Sequence, residues 1–377
     1  MPQRICNAFT WIERVGRSKM KIGFHIVQLG GGGAERVLVL LANYFSAKGH
    51  KVYVIANKAC ADEYCIDSSI DKRYIDDELI AEDGPIIRNA KRIKFIRDLC
   101  RLEDIDCMIS FMAEPNIRSI IACLGLRTKN IVSVRNEPAR EYPGIKLTVA
   151  RALFRLADCI VLQTTQAVEA FKGLEKRATI IPNPVDESFY CVRADLDSAR
   201  IVTAGRLEAQ KNQELLIRAF AKICDEFPET TLDIFGTGAL LEHLQRVAVE
   251  CGVAPQVVFH GRTKNMPLEL SNAAVFVLSS DYEGMPNALM EAMAAGIPSI
   301  STDCPCGGPA DLIQNGQNGL LVPPNNAEAM ASALEDLLRD KSRSGRMAYE
   351  SRRSMERYRV SNICERWQTA VMDVVLR

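Results

Sequence analysis

A chain of 377 residues in which 47 lysines and arginines offset 47 aspartates and glutamates has no net charge with which to recruit nucleic acid, so any electrostatic recognition must come from local patches. Histidine is scarce. The four copies, His25, His50, His243 and His260, fall in segments that read as strands, loops or surface helices, and structural or solvated roles are expected for them. The thirteen cysteines are scattered, and neither Cys60 with Cys65 nor Cys304-Pro-Cys306 has the paired spacing of a zinc site, so reduced thiols in a cytosolic protein are the simplest account. No apolar run approaches the length of a membrane span. Residues 1–19 hold Arg4, Glu13, Arg14, Arg17 and Lys19 where a signal peptide would need an apolar core, and they read as an N-terminal extension, either an unstructured arm or a consequence of start-site choice. Internal repeats and low-complexity tracts are missing too.

What is present is a rhythm of short apolar strands and amphipathic helices. Strands are expected at 21–29, 51–56, 107–111, 130–134 and 159–163, with a helix over 34–48, and the pattern restarts with strands at 201–204, 231–235, 257–259, 274–278, 299–301 and 320–322. Such alternation predicts α/β architecture with mostly parallel sheets and helices on both faces. The length exceeds what one core usually supports, so two doubly wound, Rossmann-like domains are expected, at 20–185 and 186–359. Pro182-Asn-Pro184 and the polar stretch 186–198 read as the hinge between them, because proline biases the preceding residue away from helix. A last helix, near 360–376, has no strand after it.

Three segments carry chemistry. In Glu283-Gly-Met-Pro-Asn-Ala-Leu-Met-Glu291 two carboxylates stand eight positions apart around a strand-to-helix turn. Glu283 is then expected in the loop at the carboxyl end of a strand, where open α/β sheets bind ligands, with Pro286 at the first helical position and Glu291 two turns into the helix. A lone carboxylate in an alanine- and methionine-rich helix is costly to bury unless something hydrogen-bonds it, and sugar hydroxyls would do so; snorkelling to solvent is the other reading. Gly205-Arg-Leu-Glu-Ala-Gln-Lys211-Asn sets Arg206 and Lys211 about a short loop after the strand at 201–204, two cations where a departing diphosphate would need them, or two solvated surface charges. Gly30-Gly-Gly-Gly-Ala-Glu-Arg36 follows a strand and opens a helix, a geometry that brings backbone N–H groups to a phosphate or serves as a tight turn. It is not a dinucleotide fingerprint, since the spacing fails at Glu35 and the second strand ends at Asn57 without an acidic residue.

These three motifs in this order, from about Met20 to the C-terminus, resemble the retaining glycosyltransferases of family 4. The resemblance implies the GT-B fold, two Rossmann-like domains facing across a cleft, with the 360–377 helix crossing back to the N-terminal domain. It also implies that Arg206 and Lys211 stabilise the leaving diphosphate and Glu283 contacts the donor sugar. Gly284, Met285, Pro286 and Asn287 would reach the phosphates, Glu291 would bind the ribose, and the loop holding Gly32 and Gly33 would close over the reaction centre. Glu35, Arg135 and Asn136 would line the acceptor side. Many family members carry a histidine where this chain has Ser133-Val-Arg-Asn136; arginine cannot act as a general base, which favours a leaving-group phosphate oxygen as the proton acceptor on the same face. The only Asp-x-Asp, Asp104-Ile-Asp106, lies at the entry to a strand, the wrong end for a ligand, so no metal and no other cofactor is expected.

Residues 86–101 form a basic helix with an apolar stripe through Ile86, Ala90, Ile93, Ile96 and Cys100, and residues 146–155 repeat the flavour more weakly. The basic helix either lies on anionic lipid or packs as ordinary scaffold. The reading is a cytosolic enzyme, peripheral on the inner face of the plasma membrane. It moves a hexose or N-acetylhexosamine from a nucleoside-diphosphate sugar, a UDP-sugar, to a glycan carried on a polyprenyl diphosphate in surface polysaccharide or oligosaccharide assembly. A Rossmann-type nucleotide-sugar epimerase or dehydrogenase and a sugar-nucleotide-binding module without catalysis are the alternatives. The first lacks the glycine fingerprint, a Tyr-x3-Lys pair and a use for a second domain; the second rests on the missing histidine.

Overall fold

The computed structural model describes residues 19–76 and 84–377. Its strands form two wholly parallel sheets, one ordered β3-β2-β1-β4-β5-β6-β7 and one ordered β10-β9-β8-β11-β12-β13. In the first, β1 (Lys21–Ile26), β2 (Lys51–Ala56), β3 (Asp71–Tyr74), β4 (Cys107–Phe111), β5 (Lys129–Ser133), β6 (Cys159–Leu162) and β7 (Ala178–Ile180) take part; in the second, β8 (Arg200–Ala204), β9 (Thr231–Phe235), β10 (Val257–Gly261), β11 (Val275–Leu278), β12 (Ser299–Thr302) and β13 (Leu320–Val322). Central strands are buried at nearly every position, as parallel strands covered by helices on both faces must be: Cys-Met-Ile-Ser-Phe in β4 and Val-Phe-Val-Leu in β11 have no exposed residue. Two strands were not expected from the sequence. β3 reads Asp-Lys-Arg-Tyr and β7 Ala-Thr-Ile, and both lie at the rim of the sheet, where no apolar run is required.

Register is regular, from Lys21 opposite Lys51 to Ile26 opposite Ala56 in β1 and β2, and from Arg200 opposite Thr231 to Ala204 opposite Phe235 in β8 and β9. Each sheet reverses its strand order once, between β1 and β4 and between β8 and β11. Those reversals fix where each sheet can hold a ligand, outside the carboxyl ends of the two strands that flank them.

The described chain divides into two compact units, one running to Ser133 with Leu153–Cys159 and Ala370–Arg377, the other comprising Val134–Ala152 and Ile160–Thr369. Residues 134–152 and 160–185, which the sequence assigns to the N-terminal domain, thus group with the second half. Their side chains and backbone bond to the 283–287 and 304–311 loops. The core of the first unit gathers Tyr53, Ile55, Ile96, Leu99 and Met108. That of the second gathers Ile201, Leu216, Phe220, Ile234, Val275 and Leu334.

The basic helix is Pro85–Leu102, but the expected stripe holds only in its second half, where Ile96, Leu99 and Cys100 are buried. Ile86 is 85% exposed and Ile87 56% exposed, because the first half is fastened by polar contacts instead, Arg92 to Asp76 and Asn89 to Arg118 (2.9 Å). Among the described residues no helix is long and apolar enough to cross a membrane. The Asp104-Ile-Asp106 triplet does sit at the entry to β4, where Asp106 accepts the Lys21 N–H at 2.8 Å.

Candidate active site at the switch point of the second sheet

After β8 the chain makes a short loop and a 3₁₀ turn, Ala209–Lys211, that ends at Asn212. Asn212 is held in the left-handed region, φ 43°, which asparagine tolerates better than most residues. Its side chain accepts the Leu215 N–H at 3.2 Å and so caps the helix Gln213–Phe220. The neighbouring strand, β11, runs out into Ser279–Pro286 before the helix Asn287–Ala294. Pro286 is the residue before that helix rather than its first member.

The two loops are stitched together. Asn212 Nδ2 donates to Asp281 Oδ1 at 2.7 Å, Gln210 Nε2 to the Tyr282 carbonyl at 2.9 Å, Ser279 Oγ to the Lys211 carbonyl at 2.9 Å, and the Asp281 N–H to the Gln210 carbonyl at 2.9 Å. Upon this frame the Lys211 ammonium meets Glu283 Oε1 at 2.5 Å, and Ser280 Oγ donates to the same oxygen at 2.6 Å. Glu283 is only 6% exposed, so the carboxylate is stabilised by a charge-assisted bond and a hydroxyl in a site with little water. Its backbone is pinned as well: Glu283 N–H donates to the Pro305 carbonyl at 2.6 Å, and Cys306 N–H to the Glu283 carbonyl at 2.7 Å. Burial, with the Glu283 charge beside it, pushes the Cys304 thiol up to about 12.

Of the residues singled out in the sequence, the structure brings Lys211 and Glu283 into contact and buries Glu291 on the adjoining helix. Gly284, Met285 and Pro286 are buried beside Glu283, and Asn287 opens the helix. Arg206 stands on the same loop but outside that contact: its side chain is 58% exposed and pairs with Glu208 at 3.2 Å. Arg135 is buried, and its guanidinium donates to Asn183 Oδ1; the Asn136 N–H is held by Glu141 Oε2 at 2.9 Å. Gly32, Gly33 and Glu35 belong to the first unit, at the mouth of β1. There Glu35 is buried with its carboxylate folded back over Gly32, at the third position of the helix Gly33–Ala47, as in a capping box.

Sequence reading missed several members of the second-unit site. Ser280 was within reach of it, lying three residues before Glu283. Asn183 and Gln163 were not: Gln163 Nε2 donates to Asn183 Oδ1 at 2.6 Å, while Asn183 Nδ2 donates to the Met285 carbonyl at 3.1 Å and to Asn287 Oδ1 at 2.7 Å. Asn183, in the stretch expected to be a hinge, is therefore a buried hub beneath the 284–287 turn. That turn admits no bulk. A Cβ on Gly308 would lie 1.7 Å from the Gly284 carbonyl oxygen. The histidines are engaged elsewhere. His25 is fully buried in β1 with Nδ1 at 3.2 Å from the Ile55 carbonyl, and burial drives it down to about 3; His243 pairs with Glu214 at 2.7 Å; His260 stacks on Phe235 and bonds Asp233. Among the described residues no three His, Cys, Asp or Glu side chains converge in a set that could hold a metal ion.

A family model described as Glycosyltransferase Family 4 matches residues 31–189, and one described as Glycosyl transferases group 1 matches 187–354. A Campylobacter jejuni protein, GalNAc-alpha-(1->4)-GalNAc-alpha-(1->3)-diNAcBac-PP-undecaprenol alpha-1,4-N-acetyl-D-galactosaminyltransferase, is 28% identical over 362 residues, covering 94% of this chain and 99% of its own. Two solved structures share the fold. Sucrose-phosphate synthase from Thermosynechococcus elongatus superposes with a TM-score of 0.82 at 18% identity, covering 95% of this chain and all of that one. HepE from Anabaena, in complex with UDP and glucose, superposes with a TM-score of 0.79 at 19% identity, covering 94% of this chain and all of that one. The chain belongs to the family 4 glycosyltransferases of the GT-B fold.

Proposed function

We propose that this chain transfers a hexose or N-acetylhexosamine from a UDP-sugar, with retention and without a divalent metal ion, to a glycan carried on a polyprenyl diphosphate. The observation that carries the reading is the contact of Lys211 and Ser280 with one oxygen of a buried Glu283, at the reversal of strand order in the second sheet. Both bonds fall on Oε1, and in this reading the second oxygen of Glu283 accepts a sugar hydroxyl. Lys211 is then the cation nearest the anomeric centre, placed to meet charge as the glycosidic oxygen leaves; Arg206, farther out on the loop, meets the diphosphate from the solvent side. Backbone N–H groups of the 284–287 turn serve the phosphates and the buried Glu291 serves the ribose. No histidine among the residues described at this site competes for the acceptor proton, which passes to a leaving-group oxygen on the same face. The Campylobacter relative, named for an undecaprenol-diphosphate glycan, supports the acceptor class, and HepE with UDP and glucose supports the nucleotide.

The test is a donor screen that follows nucleoside diphosphate release with and without a chelator, in the wild type, Lys211→Ala and Glu283→Ala. Chelator-insensitive turnover with one UDP-sugar and loss in both variants is expected; retained activity in either variant moves the site elsewhere. Turnover also separates an enzyme from a sugar-nucleotide-binding module.

We further propose peripheral contact with anionic lipid on the cytoplasmic face through residues 86–101, supported by the exposure of Ile86 and Ile87 beside Lys91 and Lys94. Ile86→Asp with Lys94→Glu should weaken flotation with phosphatidylglycerol liposomes, and unchanged flotation would leave the helix as scaffold.

A further inference from the structure

Beneath the 284–287 turn runs a short strip of chain, Arg135 and Asn136, that bends at Asn136 and belongs to the same compact unit. The two are in van der Waals contact without slack. A Cβ on Gly284 would sit 2.9 Å from the Arg135 carbonyl oxygen, 3.1 Å from Asn136 Cα and 2.8 Å from Gln163 Oε1, all closer than real Cβ atoms ordinarily come. Where that strip lies, the turn must lie.

The strip is itself fixed from below by one group. Glu141 Oε2 accepts the N–H of Arg135 and the N–H of Asn136, each at 2.9 Å. Successive N–H groups converging on an anion form a concavity that holds both peptide planes at once. The other oxygen, Oε1, is shut away from solvent. A carboxylate is a costly choice for such a place, since burial pushes it up to about 7 against the pull of the two N–H bonds, the Arg135 charge and the Tyr142 hydroxyl. The short helix that carries it, Pro138–Glu141, is itself set against the Glu283 loop by Arg140, whose guanidinium lies 4.8 Å from the centre of the Tyr282 ring. The strip is tied to the turn a second time through the Arg135 guanidinium, by way of Asn183 to the Met285 carbonyl and Asn287.

We propose that Glu141 is a positioning residue for donor binding: by gripping two successive peptide N–H groups it sets the height of the Arg135–Asn136 strip, and through it the placement of the Gly284–Asn287 turn. It touches no substrate. The inference rests on the reading of that turn as the phosphate-binding segment.

Since both N–H groups use a single oxygen, the carbonyl of a glutamine can replace it while alanine cannot. Glu141→Ala should raise the donor KM and the Kd for UDP at least tenfold while kcat falls less than threefold, and Glu141→Gln should restore both to within about threefold of wild type. If the alanine variant does not fold, Glu141→Asp carries the test: one methylene shorter, it should raise the donor KM severalfold, and an unchanged KM in it would overturn the proposal. An alanine variant with wild-type KM, or a glutamine variant as impaired as alanine, would overturn it too. These outcomes are distinct from failure of the donor reading itself, which would appear as a wild-type protein that binds no UDP, or as a Lys211→Ala variant that turns over normally.

Discussion

The two sheets reverse strand order in the same way and equip the reversal differently. At the first, after β1, the chain is all shape: Gly31 has φ +86°, and a Cβ on Gly30 would lie 2.2 Å from the Asp62 carbonyl, because Gly30 bridges to Glu63 and Tyr64 OH donates to the Gly32 carbonyl at 3.2 Å. At the second, after β8 and β11, the loops carry a partly buried ion pair on a hydrogen-bonded frame. One topology offers a place for a ligand; residue chemistry decides which ligand can be worked upon. Glycines at the first reversal let backbone approach a partner closely, whereas Lys211 and Glu283 at the second set opposite charges 2.5 Å apart.

That asymmetry can be broken by experiment, and the largest effect should come from the ion pair. Lys211→Ala and Glu283→Ala should each lower kcat/KM by about two to three orders of magnitude, the scale of losing an electrostatic contact made in the transition state. Glu35→Gln at the first reversal should leave UDP affinity within about twofold; a tenfold loss there, seen by titration calorimetry, would end the distinction. Next come the crowded glycines. Gly308→Ala and Gly30→Ala should each destabilise the fold by about 1–3 kcal/mol in denaturant titrations, as overpacking does. Only the first should also weaken UDP binding. Arg206→Ala, which removes an exposed charge, should cost about tenfold in kcat/KM, less than Lys211→Ala. Equal losses would place both cations at the reacting centre.

The smallest effect concerns stability and pH. Glu141 has a folded pKa of about 7, above the ordinary 4.5, so the folded state holds its proton more tightly than the unfolded chain does. Its stabilising contribution is complete below about pH 4.5 and is lost as pH rises through 7, a swing of up to about 3 kcal/mol. Glu141→Gln should therefore melt a few degrees above wild type at pH 8 and show no such advantage at pH 4.5, as scanning calorimetry would report. The opposite trend would mean that the two N–H bonds outweigh burial at this carboxyl.

Much of this was legible before any coordinates. Central strands announce themselves as apolar runs because parallel sheets are covered on both faces, and β2, β4, β9 and β13 fall at the expected residues. Glu283 and Lys211 stood out through the spacing of their motifs, Glu-x7-Glu and Gly-Arg-Leu-x3-Lys-Asn, which resembles that of family 4. Asn183, Gln163 and Glu141 were invisible for a physical reason: each acts through a hydrogen bond to a residue far away in sequence or to backbone, and neither kind of contact leaves a spacing or a composition to read. The basic helix misled in part, since a 3.6-residue periodicity continues through Ile86 whether or not a neighbour is there to cover it.

β3 has a meaning beyond its omission from the expected strands. Lying at the outer margin of its sheet, it would offer bare peptide groups to any passing extended chain, yet its side chains are occupied locally: Lys72 with Glu63 at 2.9 Å, Arg73 with Asp71 at 2.8 Å, and Tyr74 OH with Glu63 at 2.7 Å. A newcomer strand docking there would have to lie against alternating fixed charges and give up their hydration, so the same polarity that hides β3 from a hydropathy reading guards the sheet against fibril-like growth.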